Sequence, residues 1–214
     1  METKTLTLPY VETPDWIKLY STLPAHKIEC RNDWPGTRDG VDVSFIPSYN
    51  DDGIQITFTT KGAPLICNHF ANQAAVCADS CVEFFIMTDV EGVYINFEFN
   101  ILGYINASRR TGRHDSTPLT ADELAMIKTI PTYHADGPFV FDDLEDDTWI
   151  ITVNIPWKLI GVKPDVGTIL KGNFQACSDD ANPPYYLTWS PIATPQPDYH
   201  RPEFFGDIIL GPKE

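Results

Sequence analysis

No stretch of the 214 residues approaches the ~18 consecutive apolar positions needed to cross a bilayer as a helix. Positive charge is scarce. Fifteen Lys and Arg stand against 30 Asp and Glu, a formal charge of −15. A surface of that sign repels phosphate backbones and anionic lipid heads, which argues against nucleic acid and membrane as partners and leaves a neutral ligand open. The five cysteines, Cys30, Cys67, Cys77, Cys81 and Cys177, are odd in number, and no pair has zinc-knuckle spacing. They read as unpaired, mostly buried thiols, with no disulfide needed for stability. The run from Met1 to Val11 lacks a basic start, an apolar centre and a small-residue cleavage site, which predicts a cytoplasmic chain. A chain trimmed behind a natural signal would instead be periplasmic or secreted.

Catalytic signatures are missing as well. There is no Gly-x-Ser-x-Gly, no phosphate-binding glycine loop and no His-Glu-x-x-His. The five histidines, at 26, 69, 114, 134 and 200, are dispersed and never paired at ligand spacing. Carboxylates are plentiful, but a glycosidase pair is defined by its separation across a cleft, which a count does not give. The expectation is a protein without catalytic residues, cofactor or metal site.

What the chain does have is period-two alternation. In Tyr94-Ile95-Asn96-Phe97-Glu98-Phe99-Asn100, three apolar residues point one way and four polar or amphipathic ones the other. Trp149, Ile151, Val153 and Ile155 form a similar apolar face. Further strands are expected over 41–46, 53–59, 82–87, 169–177, 186–189 and 207–210. Asn50-Asp51-Asp52-Gly53 reads as a hairpin turn rather than a calcium loop, because calcium-ligand spacing is missing. Thr120 and Glu123 form a capping box that predicts one short helix over 121–128, stopped by Pro131. The acidic run 142–147 reads as a solvated loop. The fold class is therefore all-β, an antiparallel sandwich with one short helix. The whole chain, 1–214, forms a single domain with an irregular N-terminal extension at 1–34.

Three stretches carry a resemblance. They are Asp79-Ser80-Cys81-Val82-Glu83-Phe84-Phe85-Ile86, then Tyr94 to Asn100 followed by Gly103, then Gly172-Asn173-Phe174 through Leu187-Thr188-Trp189-Ser190-Pro191 to Pro197-Asp198-Tyr199-His200-Arg201-Pro202-Glu203-Phe204-Phe205-Gly206. In this order and spacing the chain resembles family 9 carbohydrate-binding modules, in their stand-alone branch, over about residues 35 to 212. The resemblance implies a jelly-roll-like sandwich that grips a sugar or the end of a glycan chain between two aromatic rings, in support of glycan breakdown, with calcium at some loops. It places Cys77 where one of those rings, a Trp, is expected, Tyr199 near the other, and Glu98 where the modules carry a sugar-binding Arg.

Sugar recognition needs rings to stack on pyranose faces and amides or carboxylates to meet hydroxyls. The candidate site is therefore Tyr199, His200, Arg201, Glu98, Asn96 and Trp189, with Asn154, Asn173 and Gln175 able to extend it. Each has a structural alternative. The polar face of 94–100 could simply face water, Arg201 could pair with Glu83 or Glu98, and Trp189 is open between core and site. Trp149 and Trp157 read as structural, while Trp16 and Trp34 could line a cleft or cap the sandwich. Two rival readings are a small-molecule or haem-binding domain of the DOMON-like sandwich group and a glycosidase accessory domain. For haem, the axial ligand would have to come from Met87, Met126 or the dispersed histidines.

Overall fold

A computed structural model describes residues 3–12, 22–142 and 147–213. The first strands in chain order are β1 (Thr5–Leu8), β2 (His26–Ile28), β3 (Asp42–Tyr49), β4 (Gly53–Lys61) and β5 (Leu65–Cys67). Next come β6 (Cys81–Met87), β7 (Tyr94–Asn100), β8 (Ile105–Arg110), β9 (Ser116–Pro118) and β10 (Lys128–Pro131). The last are β11 (Phe139–Phe141), β12 (Trp149–Pro156), β13 (Ile169–Ser178), β14 (Tyr185–Thr188) and β15 (Gly206–Leu210). An eight-stranded sheet runs β1-β15-β13-β6-β7-β8-β9, with β14 beside β13, and a five-stranded sheet runs β10-β12-β4-β3-β2. β5 and β11 form a separate ribbon.

The core lies between the two large sheets. Ile95, Phe97 and Phe99 of β7 and Phe84 of β6 bury their side chains there with Phe45 and Phe58 of the opposing sheet. Phe174 of β13 stacks on Phe45 at 3.9 Å between ring centroids and on Phe84 at 4.7 Å. Aromatic pairs of this kind add to the burial of their own large surfaces. Trp149 and Trp157 belong to the same core, and the Trp157 indole N–H donates to Asn50 O at 2.8 Å.

Several expectations are corrected. The helix is shorter than 121–128. The capping box forms as expected, but the helix covers only Ala121–Leu124, because Lys128 to Pro131 leave to pair with β12 as β10. A second short helix, Trp157–Ile160, ends at Gly161, whose φ of +81° suits glycine. Segment 1–34 is not wholly irregular. β1 runs parallel to β15 and β2 antiparallel to β3, and Leu6, Leu8 and Ile28 enter the core. Asn154 lies in the five-stranded sheet, opposite Gln55 and Lys128, and so extends no site on β7. Trp16 and most of the acidic run 142–147 lie outside the described residues.

The Asn50–Gly53 turn is confirmed. The Asn50 side-chain oxygen accepts from the N–H groups of Asp52 and Gly53 and from the Gln55 amide, while Asp51 pairs with Lys213. Those oxygens are occupied by N–H donors and a cation, so the turn does not fit a calcium ion. Asp79, wholly buried, likewise spends its carboxylate on the backbone N–H groups of Asn68 and His69 and on the Asn100 amide.

A roofed polar floor on the outer face of the large sheet

The face of β7 opposite the core does not face water. Asn96 and Asn100 are completely buried and Glu98 is 5% exposed. The cover comes from far along the chain. Trp34, Ile192, Tyr199 and Phe205 form a second apolar cluster with Phe85 and Tyr94 on that face. The Trp34 indole donates to Thr194 O at 2.9 Å, which ties the segment after β2 to the proline-rich stretch before β15. Pro195, Pro197 and Pro202 restrain that stretch through their fixed φ. It is held from the far side by Arg113, whose guanidinium pairs with Asp198 at 3.0 Å.

Beneath the roof a pocket of about 100 Å³ opens. Strand register sets its floor. Gln175 of β13 stands opposite Glu83 of β6, Glu83 opposite Glu98 of β7, and Glu98 opposite Asn106 of β8. Directly opposed side chains in a sheet lie within interaction range, so one polar row crosses four strands. The Glu98 carboxylate accepts from Asn96 Nδ2 at 2.8 Å and from Asn106 Nδ2 at 3.1 Å. Arg110 Nε in turn donates to Asn96 Oδ1 at 2.7 Å. Glu83 accepts from the Cys177 thiol, Sγ to Oε1 3.2 Å. Tyr186 and Asp179, joined at 2.8 Å, form one wall with Cys77 and Cys177, and Asp198, Tyr199 and His200 form the other.

Burial sets the electrostatics. It raises the Glu98 carboxyl to about 7, against the opposing pull of Asn96, Arg110 and Asn106. The same burial, reinforced by the Glu98 charge, lifts Glu83 well above the ordinary carboxylate range. Burial also lowers His200 to about 3, helped by Arg110 and Arg113, so its imidazole is neutral. Cys77 has its thiol pushed up by burial and by the nearby Glu98 and Glu83. Cys81, Glu83 and Cys177 bring two thiols and a carboxylate oxygen within 4.8 Å of one another, all buried. That cluster has the wrong chemistry for calcium, which takes oxygen ligands.

The candidates from sequence divide between pocket, core and outer surface. Glu98, Tyr199 and His200 line the pocket, and Asn96 orients Glu98 from behind. Tyr199 is 8% exposed and its hydroxyl donates to Ala176 O at 2.9 Å, so it closes the pocket more than it offers a free face. Arg201 is not in the pocket. It pairs with neither Glu83 nor Glu98 but with Glu203, Nε to Oε1 2.8 Å, over the Phe204 ring on the outer surface. Trp189 is core. It is 3% exposed and packs edge-on to Phe45 and Phe174, pressing against Gly206, where an added Cβ would lie 2.5 Å from its ring. Asn173 is structural, holding both N–H and C=O of Ser190. Glu83, Asn106, Arg110, Tyr186 and Asp179 were not among the candidates. Their signal lies in cross-strand register, which a single sequence does not reveal.

A family model described as carbohydrate-binding family 9 matches residues 18–210. The chain belongs to that family. Among solved structures, a candidate carbohydrate-binding protein from Bacteroides uniformis superposes on this family 9 chain with a TM-score of 0.88 at 24% identity, covering 98% of this chain and all of the other. A family 9 module from Caldicellulosiruptor kristjanssonii solved with glucose superposes with a TM-score of 0.64 at 14% identity, over 99% of this chain and 97% of that one. The same module with cellotriose gives 0.64 at 14%, over 99% and 95%. At these identities the structural likeness establishes the shared sandwich fold. No curated protein matches the chain.

Proposed function

We infer that this family 9 module binds carbohydrate without transforming it, and that the ligand sits in the pocket over the Gln175–Glu83–Glu98–Asn106 row. The row carries the reading. Its two carboxyls, Glu83 and Glu98, line the pocket, held by register and by Asn96 and Arg110, and with Asp179, Asp198 and Tyr186 they offer fixed polar groups to several hydroxyls of one sugar. Tyr186, half-buried on the wall and anchored through Asp179, supplies an apolar ring face. The glucose and cellotriose complexes of the Caldicellulosiruptor kristjanssonii module agree with a glycan ligand.

One observation weighs against the haem rival. His200 is the one histidine among the described residues lining the pocket, and its Nδ1 lies 3.0 Å from the Tyr94 hydroxyl.

The test is calorimetric titration with a panel of mono- and oligosaccharides. The expected result is saturable binding of at least one sugar, weakened in Tyr186→Ala by about 1–3 kcal/mol with melting unchanged. Cys77→Trp, which adds a ring where the pocket wall has a thiol, is expected to strengthen it. Absence of binding across the panel would overturn the assignment.

A further inference from the structure

The pocket has a charge problem that a neutral sugar leaves unsolved. Four carboxyl groups line it, those of Glu83, Glu98, Asp179 and Asp198. The guanidinium that lines it, Arg113, is already paired with Asp198. Arg110, behind the floor, spends Nε on Asn96 and a terminal N–H on Arg113 O at 2.8 Å. Glu83 and Glu98 are 2% and 5% exposed and directly opposed on neighbouring strands, with no cation between them. Like charges so placed repel, and burial amplifies the repulsion.

The partners of Glu83 sharpen the point. Its acceptor oxygens receive a thiol hydrogen bond from Cys177, a weak donor, whereas Glu98 receives two amide donors. Next to Glu83 in the row stands Gln175, wholly buried, with neither its amide nitrogen nor its amide oxygen hydrogen-bonded. Thr60, Trp149 and Tyr185 also leave a buried polar atom without a partner, but each sits on the core side or its rim. Gln175 lies on the outer face beside the under-satisfied carboxyl without lining the pocket, and its unpartnered amide gives Glu83 no hydrogen bond.

We propose that the pocket selects a positively charged sugar, a protonated amino sugar whose ammonium lies between the Glu83 and Glu98 carboxylates while its ring hydroxyls meet Asp179 and Asp198, which line the same pocket. The inference rests on the carbohydrate-binding reading above and narrows its ligand class. An ammonium carries three donors and no acceptor, the complement of two carboxylates to which no Lys or Arg among the described residues is hydrogen-bonded. Both carboxyls then ionise without mutual penalty. A neutral sugar can donate hydroxyls to the same oxygens but leaves any second negative charge uncompensated. The pocket walls admit the cation, because neutral His200 adds no repulsion and Asp179 adds attraction.

The probes are glucosamine, galactosamine and mannosamine, each beside its N-acetylated and its parent hydroxyl sugar, titrated into the whole chain at pH 6. The free amines are expected to bind about tenfold tighter or more than both counterparts, as charge-assisted hydrogen bonds to a buried pair do. Titration in two buffers of different ionisation enthalpy is expected to show protons released on binding the amine and none on binding the neutral sugar. Glu98→Gln is expected to remove the preference, leaving the amine no tighter than its neutral counterparts. The ligand series and the proton count on the unaltered protein decide first. Equal or tighter binding of a parent sugar or its N-acetyl form overturns the amine proposal and leaves carbohydrate binding standing. No binding of any sugar overturns both.

Discussion

Replacing Glu98 by Gln is expected to stabilise the protein, and to do so only above a definite pH. The carboxyl titrates near 4.5 in an unfolded chain and is raised to about 7 in the fold, mainly by burial. Below pH 4.5 it is protonated in both states and its burial carries no charge penalty. Between 4.5 and about 7 the unfolded chain loses the proton while the folded one keeps it, so stability falls as pH rises. Above about 7 both states are ionised and the loss is complete. At 1.36 kcal/mol per pH unit this amounts to about 3 kcal/mol. Glutamine imitates the protonated form and escapes the loss.

Other groups face Glu98, and their effects have known signs. Glu83 across the strand is itself raised by the Glu98 charge, so the variant relieves both carboxyls and the difference grows. Arg110 and Asn106 favour the ionised form, and Asp179 opposes it. His200 acts in the other direction. Lowered from 6.5 to about 3, it gives stability that is full above pH 6.5 and is lost as pH falls towards 3. That contribution is common to parent and variant and cancels in their difference. Asn106, at the half-exposed end of the row, can turn its amide to meet glutamine, which adds an offset independent of pH. Urea unfolding of both proteins at several values between pH 4.5 and 8 measures the quantity directly. The variant's advantage should grow by about 3 kcal/mol over that range, roughly 6–12 °C in Tm. A difference that stays flat, or shrinks as pH rises, would refute the reasoning.

Tyr199→Phe should cost about 1 kcal/mol, the bond to Ala176 O, whereas Tyr199→Ala should cost about 3–5 kcal/mol by opening the roof; equal losses in chemical denaturation would contradict this. Asp79→Ala should lower stability by about 3 kcal/mol or more, since it leaves two backbone N–H groups and the Asn100 amide without their buried acceptor, and a cost under about 1 kcal/mol would argue that the loop reorganises freely. All five cysteines are unpaired, so excess reductant should leave the melting temperature unchanged, and a drop of tens of degrees would reveal a disulfide.

The strands that were legible in the sequence are those whose two faces differ. β12, with Trp149, Ile151, Val153 and Ile155 buried, and β7, with Ile95, Phe97 and Phe99, announce themselves by period. β5, β9 and β11 have three residues each, too few to carry a period, and exist because a neighbour offers hydrogen-bond partners. At Ala125 to Lys128 the local signal pointed the wrong way. Helix propensity and a real capping box argued for continuation, but pairing with β12 outweighed them beyond Leu124.

The site was less legible for a reason that Glu98 and Glu83 illustrate together. Glu98 shows in the sequence because it stands on the polar side of an alternating strand. Glu83 is hidden in Cys81-Val82-Glu83-Phe84-Phe85-Ile86-Met87, where both faces are apolar and period gives no hint of direction. That pattern is itself informative once the roof is known. A strand apolar on both faces is a strand buried on both faces, and Phe85 meets Tyr199 and Phe205, residues more than a hundred positions away. The wet face that stood as the alternative for β7 was a local inference about a strand whose cover is non-local. The same distance explains Arg201 and Trp189. Both lie in the stretch that carries the family resemblance, and the resemblance implied a site ring near Tyr199 within it. It did not tell which side chains of that stretch turn inward. Tyr199 and His200 do, Arg201 turns out to Glu203, and Trp189 passes through to the core against Gly206. A motif thus located the roof, while strand register assembled the floor.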